Sequence, residues 1–186
     1  NEVIKEMLSD LGIPSIYPRE YEADDVIHII NTYMENVSRT NFYKDKQPFS
    51  HVIVTVDRDL CQLIKSSKLY NISVYDPIRK FEINAENFEE KLKYKKEDFI
   101  KVKALQGDKS DNIPGIKGMG KVKTQKYLNG EVELTEEENE IFKKNLKLVT
   151  LTNDEEEVKY VRKQLIECSY DTNFDNFKAN CEKYKF

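Results

Sequence analysis

Seven carboxylates gathered in three short segments are the residues whose types and spacing could do chemistry. The first segment, Glu22-Ala23-Asp24-Asp25, puts three acids into four residues at the predicted start of a helix whose other face is apolar. Glu22 and Asp25 share a face of that helix, and Asp24 lies about 100° round from Asp25. The second, Asp57-Arg58-Asp59, stands where an apolar run ends and a predicted helix begins. Ligand sites of open α/β sheets collect at such carboxyl ends of strands. The third runs from Gly107 to Gly115, and its Asp108 and Asp111 repeat the spacing of Glu22 and Asp25. Each segment alone has an ordinary explanation, because acids cap helix N-termini and Asx and Gly residues build turns. Together they suggest one pocket that holds hard divalent ions through oxygen ligands. Left unneutralised, neighbouring carboxylates raise one another's pKa, and a cation is the simplest remedy.

A fourth segment, Gly115-Ile116-Lys117-Gly118-Met119-Gly120-Lys121-Val122-Lys123, has a different character. Glycines let a backbone approach a ligand, and the free N–H groups of the helix that follows suit a phosphate. Lys117, Lys121, Lys123 and Lys126 add positive charge beside them. Such contacts grip a sugar-phosphate backbone without reading bases, so binding would be sequence-independent and salt-sensitive. A plain connection between two helices would look similar. His28 and His51 have no partner at ligand spacing and read as structural. No Ser-His-Asp arrangement is visible, and the Phe and Tyr residues of the C-terminal third read as core.

The elements that must position these groups follow from periodicity. Val3, Ile4, Met7, Leu8 and Leu11 recur at helical spacing up to Gly12, and a short strand is predicted over Ile13 to Tyr17, a run broken by Pro14 and Pro18. Glu22 to Met34 is helical, and the polar, aperiodic stretch Asn36 to Ser50 is a loop. His51 to Val56 is a β-branched run of the kind buried in a parallel sheet, leading into a helix with Leu60, Leu63 and Ile64. Strands over Asn71 to Tyr75 and Arg79 to Ile83 meet at Asp76-Pro77, with helices predicted at Ala85 to Leu92 and Glu97 to Leu105. A Lys-rich helix spans Lys121 to Leu128. Then come a helix over Glu136 to Leu146, a strand over Lys147 to Leu151, and one or two closing helices.

At 186 residues the chain fits one α/β domain with a sizeable core. No run of about 18 apolar residues exists to span a membrane, and no secretion signal is visible. Cys61, Cys168 and Cys181 are odd in number and widely spaced, which supports neither a disulfide framework nor a Cys-x-x-Cys zinc site and fits a reducing compartment. The formal charge of −4 argues weakly against nucleic acid, yet acids that hold cations do not count against it.

In their order along the chain these segments resemble the 5′ nuclease (flap endonuclease) family, most closely the 5′→3′ exonuclease domain of bacterial DNA polymerase I and its phage and organellar relatives. The resemblance is carried by YEADD (Tyr21 to Asp25), VTVDRDLCQLI (Val54 to Ile64), LQGDKSDNIPGIKGMGKVKTQKYL (Leu105 to Leu128) and the closing CEKYKF (Cys181 to Phe186). It implies an α/β fold with a central, mostly parallel sheet flanked by helices, a PIN-like or resolvase-like nuclease core with a C-terminal helix-hairpin-helix-like element. Residues 1–106 would be the C-terminal part of the core, and residues 107–186 the DNA-binding subdomain with its closing helices. The implied activity is structure-dependent 5′→3′ exonuclease or flap endonuclease hydrolysis of DNA phosphodiesters in replication and repair, with two Mg²⁺ or Mn²⁺ ions. Glu22, Asp24, Asp25, Asp57 and Asp59 would hold the metal near the attacking water, and Asp108 and Asp111 an outer metal. Gly115, Lys117, Gly118, Gly120, Lys121 and Lys123 would grip duplex DNA, where several relatives also bind K⁺.

Family members begin with a strand bearing an Asp, then a helical arch with a basic residue, and neither is present here. The resemblance therefore implies an N-terminal portion that is cleaved, disordered or supplied as another polypeptide. It also leaves two rivals, a catalytically incomplete DNA-binding fragment or partner subunit, and a PIN-class ribonuclease. The expected location is the cytoplasm or nucleoid, or an organelle in a eukaryote.

Overall fold

The structure, a computed structural model, describes residues 2–40, 48–168 and 170–185. In chain order its elements are α1 (Glu2–Asp10), α2 (Ala23–Ser38), β1 (Phe49–Val54), a 3₁₀ turn (Asp59–Leu63), β2 (Lys65–Ser66), β3 (Tyr70–Asp76), β4 (Phe81–Ile83), α3 (Phe88–Leu92), a 3₁₀ turn (Lys96–Asp98), α4 (Phe99–Gln106), β5 (Gly107–Asp108), β6 (Ile113–Pro114), α5 (Lys121–Leu128), α6 (Glu136–Val149), α7 (Glu155–Glu167) and α8 (Phe174–Tyr184). They form two compact units, Asn1–Tyr33 with Thr152–Phe186, and Met34–Leu151. The expected division at 106/107 differs from this one, since residues 107–151 share a unit with the sheet. Among the described residues no helix is long and apolar enough to cross a membrane.

In the first unit Val26 and Ile29 of α2 pack on Val161 of α7, at helical spacing on both elements. Asp10 closes α1 against α8, accepting hydrogen bonds from Asn176 at 2.7 Å and Asn180 at 2.9 Å. The strand expected over Ile13 to Tyr17 is absent, and that segment is irregular. Pro14 and Pro18 have no N–H to give a ladder, and side chains of α7 satisfy the backbone between and after them. Tyr17 N–H donates to Gln164 Oε1 at 3.0 Å, Gln164 Nε2 returns a bond to Tyr17 O at 2.8 Å, and Arg19 N–H donates to buried Glu157 at 2.8 Å.

In the second unit β1 and β3 run parallel, from Phe49↔Tyr70 to Val54↔Tyr75. The short strands β2 and β4 pair antiparallel with β3. The sheet is therefore mixed, with its longest pairing parallel, and the β3–β4 hairpin turns at Asp76-Pro77 as the sequence suggests. The expectation that His51 to Val56 is a buried run is corrected: among the described residues β1 is an edge strand, and its Val52 and Val54 are 55% and 64% exposed. The helix expected after Asp57 is a 3₁₀ turn, and α3 starts only at Phe88. Asn84 and Asn87 delay it by accepting each other's backbone N–H, at 3.0 Å and 2.9 Å.

The strand expected over Lys147 to Leu151 is also corrected, because α6 continues to Val149. Phe142, Leu146 and Val149, at helical spacing, pack on Ala104 and Ile113. Of the loop expected over Asn36 to Ser50, residues 36–38 extend α2 and Phe49 and Ser50 begin β1, while residues 41–47 lie outside the described part.

Asn145 of α6 ties the region together. It is 1% exposed, and its Nδ2 donates to Ala104 O at 2.9 Å and Pro114 O at 2.7 Å, joining the end of α4 to β6. Replacing it with Leu leaves the buried Ala104 carbonyl and the part-buried Pro114 carbonyl without this donor, so Asn145→Leu is expected to lower stability by about 2 kcal/mol. Urea unfolding checks this; an unchanged midpoint would show the two bonds to be dispensable.

Candidate metal centre

The carboxyl end of β1 is built to hold acids. Sheet pairing persists to Thr55, whose N–H donates to Tyr75 O at 3.0 Å. Thr55 Oγ1 then accepts Asp57 N–H at 3.0 Å, and Asp57 Oδ1 accepts Asp59 N–H at 2.8 Å. This Asx turn starts the 3₁₀ segment, which buries Leu60, Cys61 and Leu63 and so fixes Asp59 from behind. Burial pushes the Cys61 thiol up to about 11, so it is no nucleophile at neutral pH.

The second set of acids comes from the β5–β6 hairpin after α4. Asp108 Oδ1 accepts Ser110 N–H at 2.9 Å and the Ser110 hydroxyl. Carboxylate oxygens of Asp59, Asp108 and Asp111 all lie within 4.8 Å of one another. They line a cleft of about 550 Å³ together with Asp57, Arg58, Arg79 and Tyr94. Arg79 is held there by Asp76, at 2.6 Å. An all-oxygen, carboxylate set of this reach fits a hard divalent ion such as Mg²⁺ or Mn²⁺.

One residue of the cleft escapes sequence reasoning. Lys103 on α4, its side chain 14% exposed, places Nζ 2.7 Å from Asp108 Oδ2 and also pairs with Asp59 Oδ1. The available signal was a lysine set between Val102 and Ala104-Leu105, residues the helix buries. Although burial pushes its carboxyl up, the bonds from Lys103 and Ser110 win and lower the pKa of Asp108 to about 2.

Glu22, Asp24 and Asp25 belong to the other compact unit. There Asp25 performs the ordinary role of an acid at a helix start. Its Oδ2 accepts Glu22 N–H at 3.3 Å, as in half a capping box, and its Oδ1 accepts Thr152 N–H at 2.8 Å. His28 bonds Asn153 at 2.8 Å and His51 bonds the Tyr70 hydroxyl at 2.9 Å, so both histidines have structural partners.

In the glycine-rich segment Ile116 and Met119 are buried against Leu105, and Lys117, Gly118, Gly120 and Lys121 face outward. Among the described residues Lys117 and Lys121 have no carboxylate partner, whereas Lys123 is engaged by Glu138 at 3.1 Å. Gly115 stands in the crossing with Gly107. A Cβ there would sit 2.1 Å from Gln106 O, so its glycine is explained by packing alone.

A family model described as 5′-3′ exonuclease, N-terminal resolvase-like domain, matches residues 1–93. DNA polymerase I of Caldicellulosiruptor bescii is 35% identical over 127 residues, covering 67% of this chain and 14% of that protein. DNA polymerase I of Streptococcus pneumoniae is 32% identical over 157 residues, covering 83% of this chain and 17% of that protein. The chain thus corresponds to about a sixth or less of such relatives. Among solved structures, a mutant T5 5′-exonuclease superimposes with a TM-score of 0.59 at 19% identity, covering 91% of this chain and 69% of the other. The bacteriophage T5 flap endonuclease in a pseudo-enzyme-product complex with DNA and metal ions gives 0.57 at 18% identity, covering 88% and 61%. These likenesses establish the resolvase-like α/β fold.

The lowered pKa of Asp108 carries a sign. Its folded value lies below the ordinary 3.8, so it contributes stability above that pH which is lost as pH falls through about 2. Asp108→Asn is expected to cost about 2 kcal/mol at neutral pH and to flatten the acid limb of a melting-temperature profile. An unaltered limb would place the acid sensitivity elsewhere.

Proposed function

The chain belongs to the 5′-3′ exonuclease family with an N-terminal resolvase-like domain, and from that premise we propose that it is a metal-dependent part of a structure-dependent 5′→3′ exonuclease or flap endonuclease acting on DNA. The observation that carries this reading is the meeting of Asp59, Asp108 and Asp111 oxygens within 4.8 Å, at the carboxyl end of a parallel strand. On this reading these acids and Asp57 hold divalent ions at the cleft. Glu22, Asp24 and Asp25 enter through their sequence motif alone. Bound Mg²⁺ or Mn²⁺ supplies a water of lowered pKa and neutralises charge at the scissile phosphate.

The chain's own groups do the rest. The Asx turn holds the backbone of Asp57 and Asp59 in position, so that part of the site needs little rearrangement when ligands bind. Arg58 and Arg79 line the same cleft, where a guanidinium suits a phosphodiester oxygen. Lys117 and Lys121, exposed beside Gly118 and Gly120, contact the phosphates of the gripped duplex without reading sequence. Primer or flap removal in replication and repair is the corresponding role.

A labelled 5′-flap DNA, incubated with this chain alone and joined to its native upstream sequence, in Mg²⁺ and in EDTA, tests the reading. Metal-dependent cleavage by either form is expected. Binding that falls with salt but brings no cleavage even in Mn²⁺ would instead favour a DNA-binding module. In whichever form cleaves, Asp57→Asn is expected to slow cleavage by about 100-fold or more with little change in DNA affinity. Full activity of that variant would remove Asp57 from the chemistry.

A further inference from the structure

The side chain of Lys103 stands between Asp59 and Asp108, two of the three acids that would hold an ion. Its Nζ is 2.7 Å from Asp108 Oδ2 and paired with Asp59 Oδ1, and the side chain is almost wholly enclosed. The helix that carries it cannot easily withdraw, since Phe99, Val102, Ala104 and Leu105 are all buried. Asp111, the third acid of the group, is exposed and among the described residues has no cationic partner. Taking an ammonium out of water is costly unless it is well paired, and removing one partner of such a pair leaves an uncompensated charge. The ammonium and a divalent ion are both cations that need the same two carboxylates, at contact distances of about 2 to 3 Å. They cannot share the position.

We propose that Lys103 is the resident cation of the Asp59–Asp108 pair, holding the two carboxylates together in the absence of metal and giving way to the divalent ion when it binds. Metal affinity is then set by a competition inside the protein, and the site keeps its shape without its ion. The inference rests on the metal-binding reading of the cleft proposed above. Its consequence is opposite in sign to that of a lysine that merely helps the site fold. Removing the charge weakens the metal-free chain and strengthens metal binding.

The first measurement is Mn²⁺ binding to the whole chain by isothermal titration calorimetry, with melting temperature in EDTA alongside. Lys103→Met is expected to melt lower than wild type in EDTA and to bind Mn²⁺ about tenfold tighter or more. That is the loss of apparent affinity imposed when the binding-competent state is populated at roughly one tenth. Equal or weaker Mn²⁺ binding by Lys103→Met, with wild type binding normally, overturns the proposal and leaves the metal site standing. No Mn²⁺ binding by either protein overturns both.

A second measurement needs no variant, should Lys103→Met fail to fold. Lys103 of the wild-type chain, labelled with acetic anhydride and followed by peptide mass spectrometry, is expected to react severalfold faster at saturating Mg²⁺ than in EDTA. A rate that stays the same as the metal saturates would mean the ammonium is never displaced.

Discussion

The crossing of two backbone segments at Gly107 and Gly115 is the constraint on which the cleft depends. A Cβ on Gly107 would lie 2.3 Å from Gly115 N, and one on Gly115 would lie 2.1 Å from Gln106 O. Gly107 also takes φ +79°, which side chains rarely adopt. Any larger residue at either position must push the strands apart. Asp108 follows the first glycine and Ile116 follows the second, so one contact sets both a cleft acid and the buried anchor of the basic turn. Asn145 fastens the same crossing from α6 by bonding a carbonyl on each side of it.

Electrostatics then decides how the acids coexist. Three carboxylates with oxygens inside 4.8 Å would repel strongly if nothing lay between them. The sequence points to a bound cation as the remedy, and for two of the three the chain supplies its own in Lys103. That changes what the cluster means energetically. The acids are not a strained void awaiting an ion but a satisfied pair with Asp111 added at the rim. Asp108 is also fixed by Ser110, which acts on the carboxylate through both its backbone and its hydroxyl.

What was legible in the sequence was local. The helix over Lys121–Leu128 is bounded by Gly120 before it and Asn129-Gly130 after it, and both stop signals lie in the segment itself. The β3–β4 hairpin is likewise announced by Asp76-Pro77, where Asp76 caps its own turn by accepting from Ile78 and Arg79 N–H at 3.0 Å and 2.8 Å. What failed was non-local. Ile13 to Tyr17 looks like a strand, yet Ile13 N–H donates back to Leu8 O at 2.8 Å and the N–H and C=O of Tyr17 are bonded to Gln164, far along the chain. Lys103 is hidden for the same reason, because nothing in its neighbourhood in sequence says that Asp59 stands opposite. The three acidic segments were recognisable as such, but one residue type serves two purposes. Asp25 spends both oxygens on backbone N–H groups, and Asp108 gives one to Ser110 and the other to Lys103.

The stretch from Leu105 to Met119 therefore joins two tasks with very little slack. Leu105 packs on Ile116 and Met119, Ile116 N–H donates to Leu105 O at 2.9 Å, and the hairpin that carries Asp108 lies between them. Lys117 and Lys121 are displayed from the same short turn. A flexible linker of similar length would let these groups wander and would lose entropy each time a ligand fixed them. Here the cost is met during folding, by buried apolar side chains and a glycine crossing. On the function proposed above, the distance between the gripped phosphates and the metal acids becomes a property of the backbone. The position of cleavage relative to the duplex would then follow from the fold, with no need for any base to be read.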